Sequence, residues 1–219
     1  MDTVFGDSRA KALRAKGIVA VMVIDDAADA VPIARALVNE GITAMELTLR
    51  TPVAMDALKR IVSGVPQMQA GVGTILTPAQ VLEVKAANAD FGVSPGFNKR
   101  VVEKAIETGL PFAPGISIAS EIEAAIELGC KVLKFFPAEP MGGLKYLESV
   151  NNPYGFLGLS YIPLGGLNIQ NLASWLEKDY ILAVGGSWIA PKNLIAKKDW
   201  DSIKTNAAQA MKIFREVRG

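Results

Sequence analysis

A single lysine lies inside an apolar stretch, Val132 to Glu139, and is the residue of this chain best suited to covalent chemistry. The stretch is typical of a short buried strand, where lysine is rare unless another group pairs with it or uses it. Desolvation of an ammonium favours the neutral amine, which attacks carbonyl carbons. Lys134 could instead lay its methylenes along apolar surface and keep its ammonium in water. The strand alone leaves both interpretations open.

A second polar set lies on the predicted strand 43–49. Side chains alternate along a strand, so Glu46, Thr48 and Arg50 share a face opposite to the apolar residues between them. A buried carboxylate costs several kcal/mol unless it is paired, and we expect Arg50 to pair with Glu46. An ion pair that serves only packing is the alternative.

The same alternation predicts that Lys134 points in the direction of Glu46, which would bring an amine, a carboxylate and a guanidinium together. The amine could form a Schiff base with a ketone while the carboxylate moves protons. The guanidinium could bind a substrate carboxylate through two hydrogen bonds. A protonated imine accepts electrons by itself, so we expect no metal and no cofactor.

Turns after other predicted strands could complete such a site. Thr74 follows Gly71-Val72-Gly73, and its hydroxyl could bind a substrate carboxylate or cap the helix that begins near Pro78. Gly165-Gly166 and Gly185-Gly186-Ser187 follow two later strands, where backbone N–H groups often hold a phosphate.

The composition of the 219 residues excludes several classes of function. There is no histidine, which rules out Ser-His or Cys-His catalysis and histidine-bound zinc. Cys130 is the only cysteine, and beside Gly129 it is expected to be a small buried residue. A net charge of +1 gives no reason to expect nucleic acid or a membrane as partner. The N-terminal region lacks an apolar signal-peptide core, so we expect a cytoplasmic protein with a small-molecule substrate.

Strand and helix patterns alternate along the chain without a linker. We predict strands at 18–24, 43–49, 69–73, 91–93, 112–113, 132–136, 159–162 and 181–184. We predict helices at 7–16, 27–40, 52–62, 78–87, 99–108, 118–128, 144–150, 169–176 and 200–218. This order predicts an α/β fold, a single (β/α)8 TIM barrel domain over residues 1–219 with an N-terminal helix. A doubly wound sheet is the alternative, although no G-x-G-x-x-G follows the first strand.

Taken in chain order over nearly the whole sequence, these motifs resemble those of the 2-keto-3-deoxy-6-phosphogluconate (KDPG) / 4-hydroxy-2-oxoglutarate aldolase family. The motifs are Glu46-Leu47-Thr48-Leu49-Arg50-Thr51, Gly71-Val72-Gly73-Thr74, Ser94-Pro95-Gly96, Pro114-Gly115-Ile116-Ser117, Lys134-Phe135-Phe136-Pro137-Ala138-Glu139 and Gly185-Gly186-Ser187-Trp188. The resemblance implies a class I aldolase, a lyase of the Entner–Doudoroff pathway that releases pyruvate and an aldehyde from a homotrimeric barrel.

The resemblance also implies roles for individual residues. Lys134 would be the Schiff-base lysine and Glu46 the general acid and base. Two residues would bind the pyruvate carboxylate, namely Arg50 and Thr74, and two would form the walls of the pyruvate pocket, namely Pro95 and Phe136. Four would face the phosphate-bearing end, namely Gly165, Gly166, Gly186 and Ser187.

This chain departs from the family pattern near the phosphate-bearing end. Leu164 stands where relatives commonly have threonine, and the segment 153–163 is about two residues longer than the pattern. Asp25 and Asp26 follow the first strand, where many relatives have a basic residue, and would repel a phosphate if they faced it.

Three other functions remain open from the residues. The same chemistry could act on unphosphorylated 4-hydroxy-2-oxoglutarate and give pyruvate and glyoxylate. A sugar-phosphate epimerase or isomerase would use Glu46 as a base without a covalent intermediate. A barrel that only binds a ligand would not need Lys134, Glu46 and Arg50 together.

Overall fold

The computed structural model describes residues 4–219, in which nine β-strands alternate with ten α-helices. The strands are β1 (Ile18–Met22), β2 (Ala44–Thr48), β3 (Gln69–Gly73), β4 (Phe91–Val93), β5 (Phe112–Ala113), β6 (Gly115–Ile116), β7 (Val132–Phe135), β8 (Ser160–Pro163) and β9 (Val184–Gly186). The helices are α1 (Asp7–Lys16), α2 (Ala30–Asn39), α3 (Ala54–Gly64), α4 (Pro78–Ala86), α5 (Lys99–Thr108), α6 (Ala119–Glu127), α7 (Gly143–Asn151), α8 (Leu172–Leu176), α9 (Lys192–Ala196) and α10 (Trp200–Arg218). Short 3-10 helices cover Ala27–Asp29 and Asn152–Leu157.

The strands form two parallel sheets. Six strands pair in the order β5-β4-β3-β2-β1-β9, and three pair in the order β6-β7-β8. The backbone N–H of Lys134 donates to the carbonyl of Pro114, between β5 and β6, at 2.9 Å. At the other edge, Tyr161 in β8 forms a parallel bridge with Ile181, ahead of β9. The predicted α/β class with parallel strands is confirmed.

Both faces of the sheets are buried, which is typical of parallel sheets. In β1, Ile18, Ala20 and Met22 pack in a large apolar cluster with helix residues, whereas Val19 and Val21 belong to a smaller interior cluster. In β2 and β7 the alternation is as predicted, with the residues between the polar ones packed in the large cluster. The strands therefore direct alternate side chains into the interior, where the candidate site lies.

The helix ends follow local sequence signals. Thr77 caps α4 by accepting a hydrogen bond from the N–H of Gln80, and Pro78 occupies the first turn. The possibility that Thr74 caps this helix is therefore wrong. Asn98 caps α5, and Gly109 ends it in the left-handed conformation, which glycine adopts without strain.

Several predicted elements differ from the observed ones. The predicted helix 27–40 is divided into a 3-10 turn and α2. The last strand, Val184–Gly186, begins three residues later than the predicted strand 181–184. Helix α9 was not predicted. None of the helices within residues 4–219 combines the length and the apolar character needed to cross a membrane.

Candidate active site

A buried ion pair joins β2 and β7. The Nζ of Lys134 lies 3.0 Å from Oε1 and 3.2 Å from Oε2 of Glu46. Lys134 is 4% exposed and Glu46 2% exposed. The prediction that the amine of Lys134 and the carboxylate of Glu46 lie close together is therefore confirmed.

Glycines on neighbouring strands provide space for this pair. Glu46 pairs in register with Gly71 of β3, and Gly73 lies two residues further along the same strand. A Cβ on Gly73 would lie 1.7 Å from Oε1 of Glu46, so no larger residue fits there while the carboxylate keeps its position. On the other side, Lys134 pairs in register with Gly115 of β6.

The predicted pairing of Glu46 with Arg50 is wrong. β2 ends at Thr48, so Arg50 lies beyond the strand, where the alternation of side chains no longer applies. Arg50 is exposed, and its Nε lies 3.4 Å from the hydroxyl of Thr74. The carboxylate of Glu46 is instead neutralised by Lys134, and the guanidinium of Arg50 is left facing the cavity.

A cavity of about 330 Å³ brings most of the predicted residues together. Its lining includes Glu46, Arg50, Lys134, Phe136, Gly165, Gly186 and Ser187. The ring of Phe136 has its centroid 5.3 Å from the Nζ of Lys134, as in a cation–π contact. The remaining lining residues are Val21, Val23, Leu164, Ala190, Pro191 and Lys192.

Three predicted site residues do not line this cavity, namely Thr74, Pro95 and Gly166. Thr74 adopts a left-handed backbone conformation with φ of 63° and reaches the cavity only through its hydrogen bond with Arg50. Pro95 lies in the turn after β4, against which Gly115 packs. Gly166 packs against Glu139, whose carboxylate accepts a hydrogen bond from the indole of Trp175.

The two aspartates after β1 have different roles. Asp26 caps the 3-10 helix by accepting a hydrogen bond from the N–H of Ala28 at 2.9 Å. Asp25 forms an ion pair with Lys192, in which Oδ2 and Nζ are 2.9 Å apart. The acidic pair expected from the sequence is therefore partly neutralised.

Lys192 is the charged residue of the cavity lining that was not predicted from the sequence. It follows Pro191 in a segment that was not predicted to be helical, and no periodic pattern marks a lone lysine there. No group of three or more His, Cys, Asp or Glu side chains that could hold a metal ion occurs within residues 4–219.

Comparison with known proteins identifies the family. A family model described as "Aldolase: KDPG and KHG aldolase" matches residues 10–206. The chain belongs to the KDPG and KHG aldolase family. Aldolases of this family are lyases, so the predicted family and enzyme class are confirmed.

Individual aldolases of the family are similar over nearly the whole chain. A 2-dehydro-3-deoxy-phosphogluconate aldolase of Treponema pallidum is 40% identical over 203 residues, which are 93% of this chain and 96% of the relative. The structure of the Zymomonas mobilis KDPG aldolase with 3-phosphoglycerate has a TM-score of 0.85 at 36% identity and covers 92% of this chain and 94% of its own. The structure of the Legionella pneumophila KDPG aldolase, with pyruvate captured as a covalent carbinolamine intermediate, has a TM-score of 0.87 at 34% identity, with 92% and 97% covered.

Proposed function

We propose that this chain is a Schiff-base aldolase that cleaves a 2-keto-4-hydroxy acid to pyruvate and an aldehyde, with Lys134 as nucleophile. The observation that carries the proposal is the buried contact between Lys134 and Glu46 in the lining of a cavity. Membership of the family supports it, as does the carbinolamine captured in the Legionella pneumophila relative.

Glu46 moves the protons of the reaction. At 3.0 Å its carboxylate can accept a proton from the ammonium of Lys134 and leave a neutral amine. The amine adds to C2 of the keto acid, and the carbinolamine loses its hydroxyl as water, with a proton from Glu46, to give a protonated imine.

Cleavage of the C3–C4 bond follows from the electron demand of the imine. The C4 hydroxyl gives its proton to Glu46, the bonding electron pair enters the imine to form an enamine, and the aldehyde leaves. Glu46 returns the proton to C3. Water then hydrolyses the pyruvyl imine to pyruvate and free Lys134.

Arg50 and Thr74 bind the carboxylate of the pyruvate half. The support is that Arg50 lines the cavity with its guanidinium free of Glu46 and bonded to the hydroxyl of Thr74. Phe136 forms a wall of the pocket beside the reacting amine. The assignment of Pro95 to another wall rests on its sequence motif.

The substrate is KDPG, and the aldehyde product is glyceraldehyde 3-phosphate. The name of the Treponema pallidum relative supports this choice. Gly165, Gly186 and Ser187 line the cavity and would receive the phosphate with Gly166. 4-Hydroxy-2-oxoglutarate is the alternative that the family name supports, and a large preference for KDPG in compared rates would exclude it.

The finer architecture is also a proposal. We infer that the two sheets act as one (β/α)8 barrel domain over residues 1–219, with β5 and β6 as one strand interrupted at Pro114. The hydrogen bond from Lys134 to Pro114 and the bridge between Tyr161 and Ile181 support this. A cytoplasmic homotrimer is proposed from the family. The exposed large apolar side chains are candidates for the subunit contacts of such a trimer, namely Leu76, Leu82, Ile106, Ile118 and Phe156.

Trapping of the imine tests the proposal. The protein is incubated with pyruvate, reduced with borohydride and weighed by mass spectrometry. We expect one reduced pyruvyl group, mapped to Lys134 by peptide analysis. Lys134→Met should remove the adduct, whereas Lys131→Met should keep it, because Lys131 is exposed just before the same strand. Folded protein that gains no adduct would remove the aldolase assignment.

A further inference from the structure

The charges of the cavity leave one cation without a role in the proposed reaction. Three cationic side chains line the cavity, namely Arg50, Lys134 and Lys192, and Glu46 is the only carboxylate in the lining. Lys134 forms the imine, and Arg50 binds the carboxylate. Lys192 remains, and the excess of positive charge suits a substrate with anionic groups at both ends.

Lys192 lies at the open rim of the cavity. Its side chain is 62% exposed although it belongs to the lining, whereas Lys134 is almost fully buried. Ser187 and Lys192 both lie after β9 in the sequence, and Ser187 is also an exposed residue of the cavity lining. Most of the remaining lining is apolar and includes Val21, Val23, Leu164, Ala190 and Pro191. A substrate with its keto carbon at Lys134 would therefore have Lys192 as the cation available to its outer end.

Asp25 holds Lys192 from the neighbouring strand. β1 and β9 pair in parallel, with Ile18 opposite Val184, so the segments that follow them are adjacent. Asp25 follows β1, and its Oδ2 lies 2.9 Å from the Nζ of Lys192. Both side chains are more than half exposed, and ion pairs of this kind are weak. The ammonium can therefore leave Asp25 for a doubly charged phosphate.

We propose that Lys192 and Asp25 determine how strongly the enzyme selects a substrate with a phosphate at its far end. Lys192 binds the phosphate as a point charge. Asp25 competes for the same ammonium and repels the phosphate, so it limits that selectivity. This inference rests on the proposed aldolase function.

The test compares two substrates that differ only at the far end, KDPG and the same keto acid without its phosphate. Lys192→Met should lower kcat/KM for KDPG about tenfold, the effect of losing a charge-assisted hydrogen bond. It should leave kcat/KM for the unphosphorylated acid nearly unchanged. Asp25→Asn should raise kcat/KM for KDPG about threefold, because an exposed competitor is removed.

Two further variants sharpen the comparison. The double variant Lys192→Met/Asp25→Asn should behave as Lys192→Met does, because Asp25 acts largely through the ammonium. Lys197→Met is the matched control, since Lys197 is exposed at the end of the same short helix and does not line the cavity. It should match the wild-type enzyme on both substrates.

Trapping with pyruvate and borohydride separates this inference from the aldolase assignment. Lys192→Met should still form the pyruvyl adduct on Lys134 at the wild-type level. If Lys192→Met lowers kcat/KM equally for both substrates, or does not lower it for KDPG, the role of Lys192 is overturned. If Asp25→Asn lowers the preference for KDPG over the unphosphorylated acid, the competing role of Asp25 is overturned. A wild-type enzyme that forms no adduct would overturn the aldolase assignment instead.

Discussion

Lys134 and Glu46 form an ion pair in which both side chains are almost fully buried, so each depends on the other for stability. Breaking a buried ion pair from one side costs about 3–5 kcal/mol, whereas replacing both charges by neutral residues of similar size is often neutral or stabilising. We expect Lys134→Met and Glu46→Gln to lower the free energy of unfolding by about 3 kcal/mol each. The double variant should return close to the wild-type value. Urea denaturation of the four proteins measures the coupling.

An exposed pair provides the control for this cycle. Lys99 and Glu103 lie one helical turn apart on α5 with a 3.9 Å separation, and both side chains are more than half exposed. Their removal should change the free energy of unfolding by about 0.5 kcal/mol or less. Additive effects of the Lys134 and Glu46 substitutions would show that the two charges are not coupled.

Single residues were predictable from the sequence where a strand imposed alternation. Glu46 lies inside β2 and Lys134 inside β7, so the alternation of side chains along a strand predicted the face to which each side chain points. Arg50 lies two residues past the end of β2, and its pairing was therefore predicted wrongly. Lys192 could not be found at all, because its place in the cavity depends on how the segment after β9 folds back towards Asp25.

The position of the Glu46 side chain on β2 depends on Gly73 of the neighbouring strand β3, and this gives a prediction at the scale of the strand pair. In Gly73→Ala the new methyl would overlap the carboxyl group of Glu46, with Oε1 at 1.7 Å and Cδ at 2.4 Å from its position. The side chain of Glu46 would have to rotate away from Lys134. A displacement of about 1 Å can cost about a hundredfold in rate, so we expect kcat to fall by about that factor in a steady-state assay.

Gly96→Ala is the control for this substitution. A Cβ added at Gly96 would have no atom within 4 Å. Gly96 lies in the turn after β4, and β4 is the strand that pairs with β3 on the side away from β2. Its kcat should stay within about twofold of wild type, because the added methyl group would have no steric conflict. A Gly73→Ala enzyme with the wild-type kcat would mean that the position of Glu46 is not required for turnover.

Elements were predictable where caps and breakers delimit them. α1, α5 and α10 have the predicted bounds, and α1 and α5 each end at a glycine in the left-handed conformation, Gly17 and Gly109. The fifth strand was predicted at 112–113, where β5 lies, but β6 was not predicted, because Pro114 cannot donate a backbone hydrogen bond and therefore indicates the end of a strand. The helix α9 has five residues, too few for a periodic signal.

At the scale of the whole molecule, the alternation of strand and helix patterns predicted the α/β class but not how the strands divide into two sheets. The division depends on long-range pairings such as Tyr161 with Ile181, which no local pattern specifies. The larger apolar cluster extends from β1 to α10 and includes Cys130. A single thiol inside it reports on the opening of the core.

Cys130 is 1% exposed, and burial raises the pKa of its thiol from 9.0 to about 12. The thiolate is the reactive form, so we expect native protein at pH 8 to resist a thiol-specific reagent and to react once unfolded. Because the folded pKa is raised, this thiol stabilises the fold fully below pH 9 and loses that contribution as the pH rises towards 12. Burial raises the pKa of Tyr180 to about 12 as well, which extends the same alkaline loss.

The rate of labelling should therefore follow the global unfolding equilibrium and rise in proportion when urea lowers the free energy of unfolding. Cys130→Ala should abolish labelling, because the chain has no other cysteine. Placing the thiol on the surface instead, as Ser63→Cys in the Cys130→Ala background, should give prompt labelling without urea, since Ser63 is exposed on α3. Rapid labelling of native Cys130 at a rate independent of urea would show that the core opens locally around α6 and β7 rather than with the whole molecule.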